Sequence, residues 1–395
     1  MKIATAFSTA QSAKDALQAA SADVARQLGA EPQLVILSYS EQHDAQALAQ
    51  AADELPAGVR VHGASSCLGA MSDQGCRIEG GPQLFLFALA DKDGAYGVGS
   101  AELSSEPRSA GAQATRRAID SAERPGETPA LIWLSVAPGS EEQVLLGIAD
   151  VVGPHVPVFG GSAADNAIKG AWSQLERGQA RSHGVVVTAL YPSGELTHAF
   201  SSGYEPTAAR GRVTAADHRR IAEIDGEPAA LWYNRHAGGA ISARLGGGDI
   251  LAETTLQPLG RRVATIRGVD QFLLIHPSGV DAGNAMTVFA DVAVGDELVL
   301  MAGSKQSLVN RIRGVADAAR AAAPPDFVPA GALVIYCAGC MLAVRDELDQ
   351  VVHGLREGLP GLPFLGAFTF GEQGCVLRGR NEHGNLGMSV VLLGA

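Results

Sequence analysis

The sequence lacks the features that mark several common classes of protein. It contains no apolar stretch near the roughly 20 residues that cross a bilayer and no basic run, and its formal net charge is -12. Neither nucleic acid nor an anionic membrane surface is therefore an expected partner. The first residues turn polar without the apolar core of a signal peptide, so we expect a cytoplasmic protein with no membrane insertion.

Cysteine is scarce, and the usual enzyme motifs are missing. Five cysteines are an odd number, which does not suit a secreted disulfide framework and favours reduced thiols. We find no G-x-S-x-G elbow, no Walker A run and no H-E-x-x-H pair. The sequence thus predicts a protein without catalytic residues, whose 46% hydrophobic content supports a sizeable core.

What the sequence does contain is a pattern that occurs three times. An apolar run is followed by a helix-like stretch and then a glycine, with 29 residues from Leu34 to Gly63, 29 from Leu131 to Gly160 and 33 from Leu333 to Gly366. A further apolar run ends each unit, at residues 84–89, 185–190 and 388–393. Any α/β protein alternates such elements, but here the spacing and the turn residues agree, which favours an internal repeat.

The fold class predicted is α/β, with two domains of mixed sheets and helices built from repeated strand–helix–strand–turn–strand units. Glycine, Ser, Pro and Thr cluster within residues 201–216 and predict a domain junction, giving domains 1–203 and 204–395. Short strands between residues 263 and 301 predict an antiparallel sheet. The segment Ser12–Leu28 has helical periodicity and ends at Gly29.

Small and polar residues follow the strands of all three units, where open α/β sheets bind ligands. We therefore expect one or two clefts formed by Ser65, Ser66, Ser162, Asp165, Thr369 and Glu372. The two carboxyl groups could bind a ligand ammonium or hold the turns by accepting backbone N–H groups. We favour these roles over acid–base chemistry, because a carboxylate that accepts several N–H bonds stays ionised.

An ordered set of segments resembles the FIST sensory family, in which an N-type and a C-type domain stand in tandem. The resemblance covers about nine tenths of the chain, and the segments are 157–165, 203–206, 213–214, 223–229, 295–301 and 363–372. It makes residues 1–203 the N-type domain and 204–395 the C-type domain. It implies a cytoplasmic sensor of a small ligand that acts in trans on a histidine kinase or a cyclic-di-GMP enzyme, as in two-component signalling.

The segments around Cys337-Ala338-Gly339-Cys340, Gly371–Cys375 and Asn381–Leu386 resemble a subset of that family, the NosP-type proteins. This resemblance implies haem as cofactor and nitric oxide as signal. Haem needs an axial ligand, usually a histidine. The resemblance names no ligand, so the candidates come from position: His183 and His383 each precede a terminal strand and are expected at equivalent places, with His62 and His276 next.

Three cysteines are candidate metal ligands. Cys337-x-x-Cys340 is half of a zinc site or a redox pair, and Cys375 could join it from an adjacent strand end. The same thiols could instead be buried small apolar groups. Two alternatives thus stay open beside the haem sensor: a sensor of an amino acid or another metabolite, and a cysteine-dependent enzyme or thiol/zinc redox switch.

Overall fold

The computed structural model describes residues 1–266, 268–376 and 379–395. It contains a ring of three repeated units and a cap, residues 205–302, inserted into the third unit. Units one and two have the same order of strands and helices. Unit one comprises β1 (Lys2–Ser8), α1 (Ala13–Leu28), β2 (Leu34–Tyr39), α2 (Ala45–Ala51), β3 (Arg60–Ser65), β4 (Ala70–Ser72), β5 (Gly75–Arg77) and β6 (Leu84–Ala90).

Unit two repeats this order, and its second helix is longer than that of unit one. It comprises β7 (Ala95–Glu102), α3 (Pro107–Ser121), β8 (Leu131–Val136), α4 (Glu141–Val152), β9 (Val158–Ser162), β10 (Gln174–Glu176), β11 (Gln179–Arg181) and β12 (Gly184–Tyr191). Unit three begins with β13 (Leu196–Ser202), which the cap separates from the rest of the unit.

The cap is a mostly β insertion with two short helices. It comprises β14 (Glu205–Asp217), β15 (Arg220–Ile224), β16 (Glu227–Pro228), α5 (Ala229–His236), β17 (Gly248–Asp249), α6 (Leu251–Thr254), β18 (Leu259–Ile266), β19 (Val269–Ile275), β20 (Pro277–Val280), β21 (Met286–Val288) and β22 (Glu297–Ala302). Its strands pair antiparallel, as the sequence predicted for this region.

The remainder of unit three follows the cap in the chain. It comprises α7 (Lys305–Ala321), β23 (Pro329–Cys337), α8 (Ala338–Ala343), α9 (Leu348–Gly358), β24 (Phe364–Thr369), β25 (Glu372–Val376), β26 (Arg380–Gly384) and β27 (Gly387–Gly394). The predicted helix Ser12–Leu28 is confirmed as α1, which Ser12 caps by accepting the amide of Asp15.

Each unit forms a six-stranded sheet that borrows its last two strands from another unit. The orders are β1-β6-β2-β3-β10-β11, β7-β12-β8-β9-β25-β26 and β13-β27-β23-β24-β4-β5. In every sheet the two central strands are parallel, β2 with β3, β8 with β9 and β23 with β24. The repeat is therefore confirmed, and the three sheets are linked by a cyclic exchange of hairpins.

The three sheets share one apolar core at the centre of the ring. Leu34 and Phe87 from the first sheet pack with Trp133 from the second and Leu333 and Val391 from the third. The opposite face of each sheet packs against that unit's helices, and the cap has a core of its own but also contributes Leu274, Val299 and Met301 to the cluster of the third unit. Burying one such large apolar side chain contributes about 1.5–3 kcal/mol, so the shared core fixes how the units meet.

The domain boundary predicted at residues 203 and 204 stays a prediction. The cap begins at β14, two residues beyond this boundary, while β13 pairs with β27 across it. Within the described part of the chain, no helix combines the length and hydropathy that a membrane crossing requires.

Candidate functional site

A cavity of about 280 Å³ lies where the carboxyl ends of the parallel strands face the cap. Most of its walls are apolar, and a few polar side chains converge on it. The ring contributes Cys67, Pro138, Glu141, Asn166, Ala167, Ile168, Trp172, Cys337, Gly339, Leu342, Phe370 and Asn385, and the cap contributes Arg219, Leu251, His276 and Phe289. Its volume is near the lower end of the range for small-molecule sites, about 300–1,000 Å³.

Two thiols line the cavity. Cys67 follows β3, and Cys337 is the last residue of β23 and the N-cap of α8. Burial raises the pKa of Cys67 to about 12 and that of Cys337 well above its usual range, and the neighbouring Cys340 adds to the second shift. Both groups are therefore neutral thiols at physiological pH, which makes them poor nucleophiles and does not favour the cysteine-dependent enzyme.

Of the three candidate metal ligands, Cys337 and Cys340 are neighbours, and Cys375 does not lie with them. Cys340 lies beside Tyr204, with 3.7 Å between its Sγ and the tyrosine Oη, whereas Cys375 packs against the shared core of the ring. Among the described residues, one group alone places three candidate ligand atoms within 4.8 Å of one another, and it consists of Glu141, Glu142 and His383. The cysteine site is thus absent from this arrangement.

That acidic group already holds a cation, the guanidinium of Arg219. Arg219 follows β14 in the cap, and its Nη2 lies 2.6 Å from Glu141 Oε2 and 2.7 Å from Glu142 Oε2. Its Nε lies 3.4 Å from Asp291 Oδ1. Burial opposes ionisation of Glu141, but His383 and Arg219 outweigh it and lower the pKa of Glu141 to about 2. The four side chains fasten the cap to the amino end of α4, where carboxylates are stabilised by the helix dipole.

The six polar residues expected at the strand ends lie beneath the cavity rather than in its lining. Ser65 accepts the amide of Ser173 at 2.8 Å, and Ser66 accepts that of Phe368 at 2.8 Å, so each joins two units. Ser162 donates to Glu141 Oε1 at 2.7 Å. Ser65 and Thr369 border a smaller cavity of about 30 Å³ at the centre of the ring. These side chains support the site without reaching it.

Asp165 holds the loop that forms one wall of the cavity. Its carboxylate accepts backbone N–H groups from Ala167, Ile168, Lys169 and Ala171. Burial alone would raise the pKa of Asp165, but these four donors lower it, so the group stays ionised. The loop is strained, because Ile168 has a φ of 54°, which β-branched residues rarely adopt. Ile168 also stays 44% exposed at the mouth of the cavity.

Glu372 differs from Asp165, because its raised pKa favours the neutral acid. Its oxygens accept Thr369 Oγ1 at 2.9 Å and the amide of Gly387 at 2.9 Å, but it is fully buried. Burial first, and the neighbouring Cys337 second, raise the pKa of Glu372 well above its usual range. The expectation that Glu372, like Asp165, stays ionised is therefore wrong, because two neutral donors do not offset complete burial without a cation.

The four candidate histidines differ in what their rings can bind. The ring nitrogens of His62 lie 2.8 Å from Thr188 Oγ1 and 2.8 Å from Ser135 Oγ, and those of His383 lie 3.1 Å from Gln373 Nε2 and 3.1 Å from the carbonyl of Phe289. Both rings are thus fully engaged. His183 is exposed and lines none of the cavities described above. The expected equivalence of His183 and His383 is wrong, because His183 directly precedes β12 whereas His383 lies inside β26.

Only His276 of these four lines the cavity. Its Nε2 donates to the carbonyl of Leu251 at 3.1 Å, and burial lowers its pKa to about 4. A haem needs a free ring nitrogen facing a slot that admits the macrocycle. This cavity is small, and His62 and His383 have no free ring nitrogen, so the four candidate histidines do not form a haem site in this cavity.

Sequence reasoning missed most of the residues that line the cavity. Arg219, Leu251 and Phe289 come from the cap, whose position over the strand ends no local pattern predicts, and His276 was predicted only as a haem ligand. Glu141 carried a usable signal, since it begins a helix directly after a strand of the second unit. Trp172 had none beyond its position in a polar loop.

Comparison with known proteins gives two family matches and one distant relative. A model described as FIST N domain matches residues 33–227, and one described as FIST C domain matches residues 239–375. An uncharacterised protein of Methanocaldococcus jannaschii is 28% identical over 198 residues, which cover 45% of this chain. The match spans only 34% of that relative's length.

Solved structures give low-scoring superpositions. A cyanuric acid hydrolase from A. caulinodans aligns over 99% of this chain and 98% of that chain, with a TM-score of 0.36 and 12% identity. A second cyanuric acid hydrolase aligns over 99% of both chains, with a TM-score of 0.36 and 9% identity. Superpositions of this quality do not establish a common fold.

Proposed function

We propose that this chain, which belongs to the FIST family, is a sensory protein whose small ligand binds in the 280 Å³ cavity between the ring and the cap. The observation that carries the proposal is the position of the cavity. It lies at the carboxyl ends of the parallel strands, has apolar walls with a few convergent polar groups, and takes its lining from two separately packed parts of the chain.

A ligand at this place touches both the ring and the cap. Such a ligand favours whichever relative placement gives it the better contacts, and it shifts the equilibrium by its difference in affinity for the two placements. The shift is the signal, which a histidine kinase or a cyclic-di-GMP enzyme would read in trans in the cytoplasm. No catalytic step is part of the proposal.

The ligand class favoured here is a small metabolite such as an amino acid, because the cavity is small and polar at only a few points. Haem with nitric oxide stays the competing proposal from the resemblance to NosP-type proteins. The absorption spectrum separates the two: after growth with a haem precursor, a haem protein shows a Soret band that nitric oxide shifts, and a metabolite sensor shows none.

Blocking the cavity tests the proposal. Gly339 is a cavity residue in α8, and a Cβ at this position would lie 3.6 Å from His276 Cε1. We expect Gly339→Val to fill space that the ligand needs. The matched control is Gly314→Val in α7, where a Cβ meets no atom within 4 Å. Leu342→Trp, at an exposed position on the mouth, is a second blocking variant that leaves the core intact.

The measurement is the thermal shift of the full-length chain with a panel of amino acids, amines, carboxylates and nucleosides. A ligand at a hundred times its Kd adds about 2.7 kcal/mol to the free energy of unfolding. We expect at least one compound to stabilise the wild type and Gly314→Val but not the two blocking variants. Stabilisation that survives in both blocking variants, or no stabilising compound in the panel, would contradict the proposal.

A further inference from the structure

The charged groups around the cavity are predominantly negative. Arg219 contacts three carboxylates. The negative charge of Asp249 raises the pKa of His276, against the larger effect of burial. Burial has the largest effect on the pKa of Cys67. The carboxylates of Asp165 and Glu41 raise this pKa further, and Arg345 lowers it. The inventory is thus six carboxylates against three cationic groups, a balance of -3: Glu41, Glu141, Glu142, Asp165, Asp249 and Asp291 against Arg219, Arg345 and the His383 that lowers the pKa of Glu141.

This imbalance is not cancelled by the hydrogen bonds that these carboxylates accept. Asp165 is bound by four backbone N–H groups, which are dipoles without net charge. A cleft with low-dielectric walls and one sign of charge concentrates ions of the opposite sign. The electrostatic field in this cavity therefore favours a cation and opposes an anion.

His276 supplies an independent observation that points the same way. Its Nε2 must carry the proton, since its partner is the carbonyl of Leu251. In the neutral ring Nδ1 is then an acceptor, and within the described residues it has no hydrogen-bond partner. The side chain is 3% exposed and lines the cavity. Nδ1 is thus an accessible acceptor in the neutral ring, with which a hydrogen-bond donor on the ligand would pair.

The aromatic walls suit the same ligand. Trp172 and Phe370 meet edge to face, with 6.2 Å between their ring centroids, and Phe289 stands against His276 at 6.2 Å. Ring faces attract cations and bury apolar groups equally well. The cavity thus combines a negative field, a free acceptor and aromatic surface.

We infer that the ligand of this cavity is a small organic ammonium ion with an apolar body. The ammonium group donates to His276 Nδ1 and lies in the field of the acidic groups, while the apolar part packs against Trp172, Phe289 and Phe370. The inference rests on the proposed function, namely that this cavity is the ligand site, and it specifies the chemistry of the ligand.

Three probes with the same phenyl ring and different charges test this inference: 2-phenylethylammonium, 2-phenylethanol and 3-phenylpropionate. Isothermal titration of the full-length chain should show the ammonium ion binding about tenfold or more tightly than the other two. Its affinity should fall as salt is raised, because the Debye length shortens from about 10 Å at 0.1 M to 3 Å at 1 M.

A second experiment removes a positive charge near the cavity. Arg345 is exposed, pairs with Glu79 at 2.8 Å and does not line the cavity. We expect Arg345→Ala to tighten binding of the ammonium probe by about two- to fivefold, the usual effect of one surface charge. The control is Arg26→Ala, which removes a more exposed arginine that pairs with Asp23 on α1 and should change nothing.

The outcomes separate this inference from the proposed function. Two results would contradict the inference that the ligand is a cation. One is binding of 3-phenylpropionate as tight as that of the ammonium probe, and the other is an unchanged affinity for the ammonium probe in Arg345→Ala. A third result separates the two proposals: none of the three probes binds, but a compound of the metabolite panel binds to the wild type and not to Gly339→Val. The cavity is then the ligand site, and the inference of a cationic ligand is wrong. Ammonium binding that persists in Gly339→Val and Leu342→Trp places the cation elsewhere and overturns the inference too.

Discussion

Two carboxyl groups at strand ends of this protein, Asp165 and Glu372, differ in charge at neutral pH, because the pKa of Asp165 is lowered and that of Glu372 is raised. The sequence predicted both positions, since each follows a glycine-rich strand end. It did not predict the protonation of Glu372, because the number of donors and the depth of burial are decided by segments distant in the chain. Gly387, which donates to Glu372, is an example. The positions of Asp165 and Glu372 at strand ends could thus be predicted from the local sequence pattern, but the charge of Glu372 could not.

Replacing Asp165 with Asn should destabilise the protein. The neutral amide is a weaker acceptor for four backbone N–H groups, and hydrogen bonds to charged groups contribute about 1.5–3 kcal/mol. Urea unfolding at pH 7 measures the loss. Asp44→Asn is the control, because Asp44 caps α2 through two N–H groups and Asn caps helices equally well. Equal stabilities of the two variants would contradict the role given to Asp165.

The pH dependence of Asp165 follows from the lowered pKa. Its folded pKa is below the unfolded value of about 3.9, so its stabilisation is complete above that pH and is lost as pH falls towards the folded pKa. The wild type should therefore lose stability relative to Asp165→Asn below about pH 4. A constant difference between the two proteins from pH 7 down to pH 3 would argue against an ionised Asp165.

Glu372→Gln should have the opposite effect. The folded pKa of Glu372 is above its unfolded value of about 4.3, so wild-type stability falls as pH rises from about 4 towards the folded pKa. Gln copies the neutral acid and removes this penalty. We expect the variant to be at least as stable as the wild type at pH 7 and more stable at pH 9, by denaturant unfolding. A variant less stable than the wild type at pH 9 would show that Glu372 is charged.

At the scale of the strands and helices, the three equivalent glycines explain how the borrowed hairpins fit. Gly63 is paired with Leu175 of one hairpin and Gly366 with Met71 of another. A Cβ on either glycine would lie 2.7 Å from the side chain opposite. The sequence showed the glycines and their spacing, but it did not show that a side chain from another unit lies over Gly63 and Gly366.

This packing predicts a coupling between Gly366 and Met71. Gly366→Ala alone should destabilise the protein by about 1–3 kcal/mol through overpacking. In a Met71→Ala background, which itself costs about 2–5 kcal/mol, the added methyl occupies vacated space and its cost should approach zero. A double-mutant cycle by chemical denaturation measures the difference. Additive effects would mean that the hairpin does not lie over the glycine.

At the scale of the whole molecule, Arg219 joins the cap to α4, beside the hydrogen bonds and apolar contacts that attach the cap to the third unit. Arg219→Ala leaves Glu141 and Glu142 without their cation, and Glu141 is 1% exposed. Removing one partner of a buried ion pair costs about 3–5 kcal/mol. We expect faster hydrogen exchange near Asp291, whose amide donates to Glu142 at 2.8 Å, and in the first turn of α4.

The neighbouring Arg220 is the control for this prediction. It forms an exposed pair with Asp281 inside the cap, at 2.6 Å, and exposed pairs contribute about 0–1 kcal/mol. Arg220→Ala should therefore leave the exchange of α4 unchanged. Similar exchange in both variants would mean that Arg219 does not fasten the cap.

The ring itself could be predicted only in part. The equal spacings from Leu34 to Gly63 and from Leu131 to Gly160 predicted equivalent units, and the structure confirms them. The longer third spacing reflects the additional helix α8 between β23 and α9. The exchange of hairpins left no trace in local periodicity, because a three-residue strand pairs equally well with its own unit or another.

The exchange also sets an order on the synthesis of the chain. Ala70 pairs with Ala367, which leaves the ribosome 297 residues later. At about 5–20 residues per second, the first hairpin waits roughly 15–60 s for its partner strand. The first sheet, in contrast, receives its borrowed hairpin once residue 181 has emerged. During synthesis the chain therefore exposes an unpaired strand edge on its first hairpin. The yield of folded protein in the cell should depend on chaperones that cover that edge until the partner strand β24 has been made.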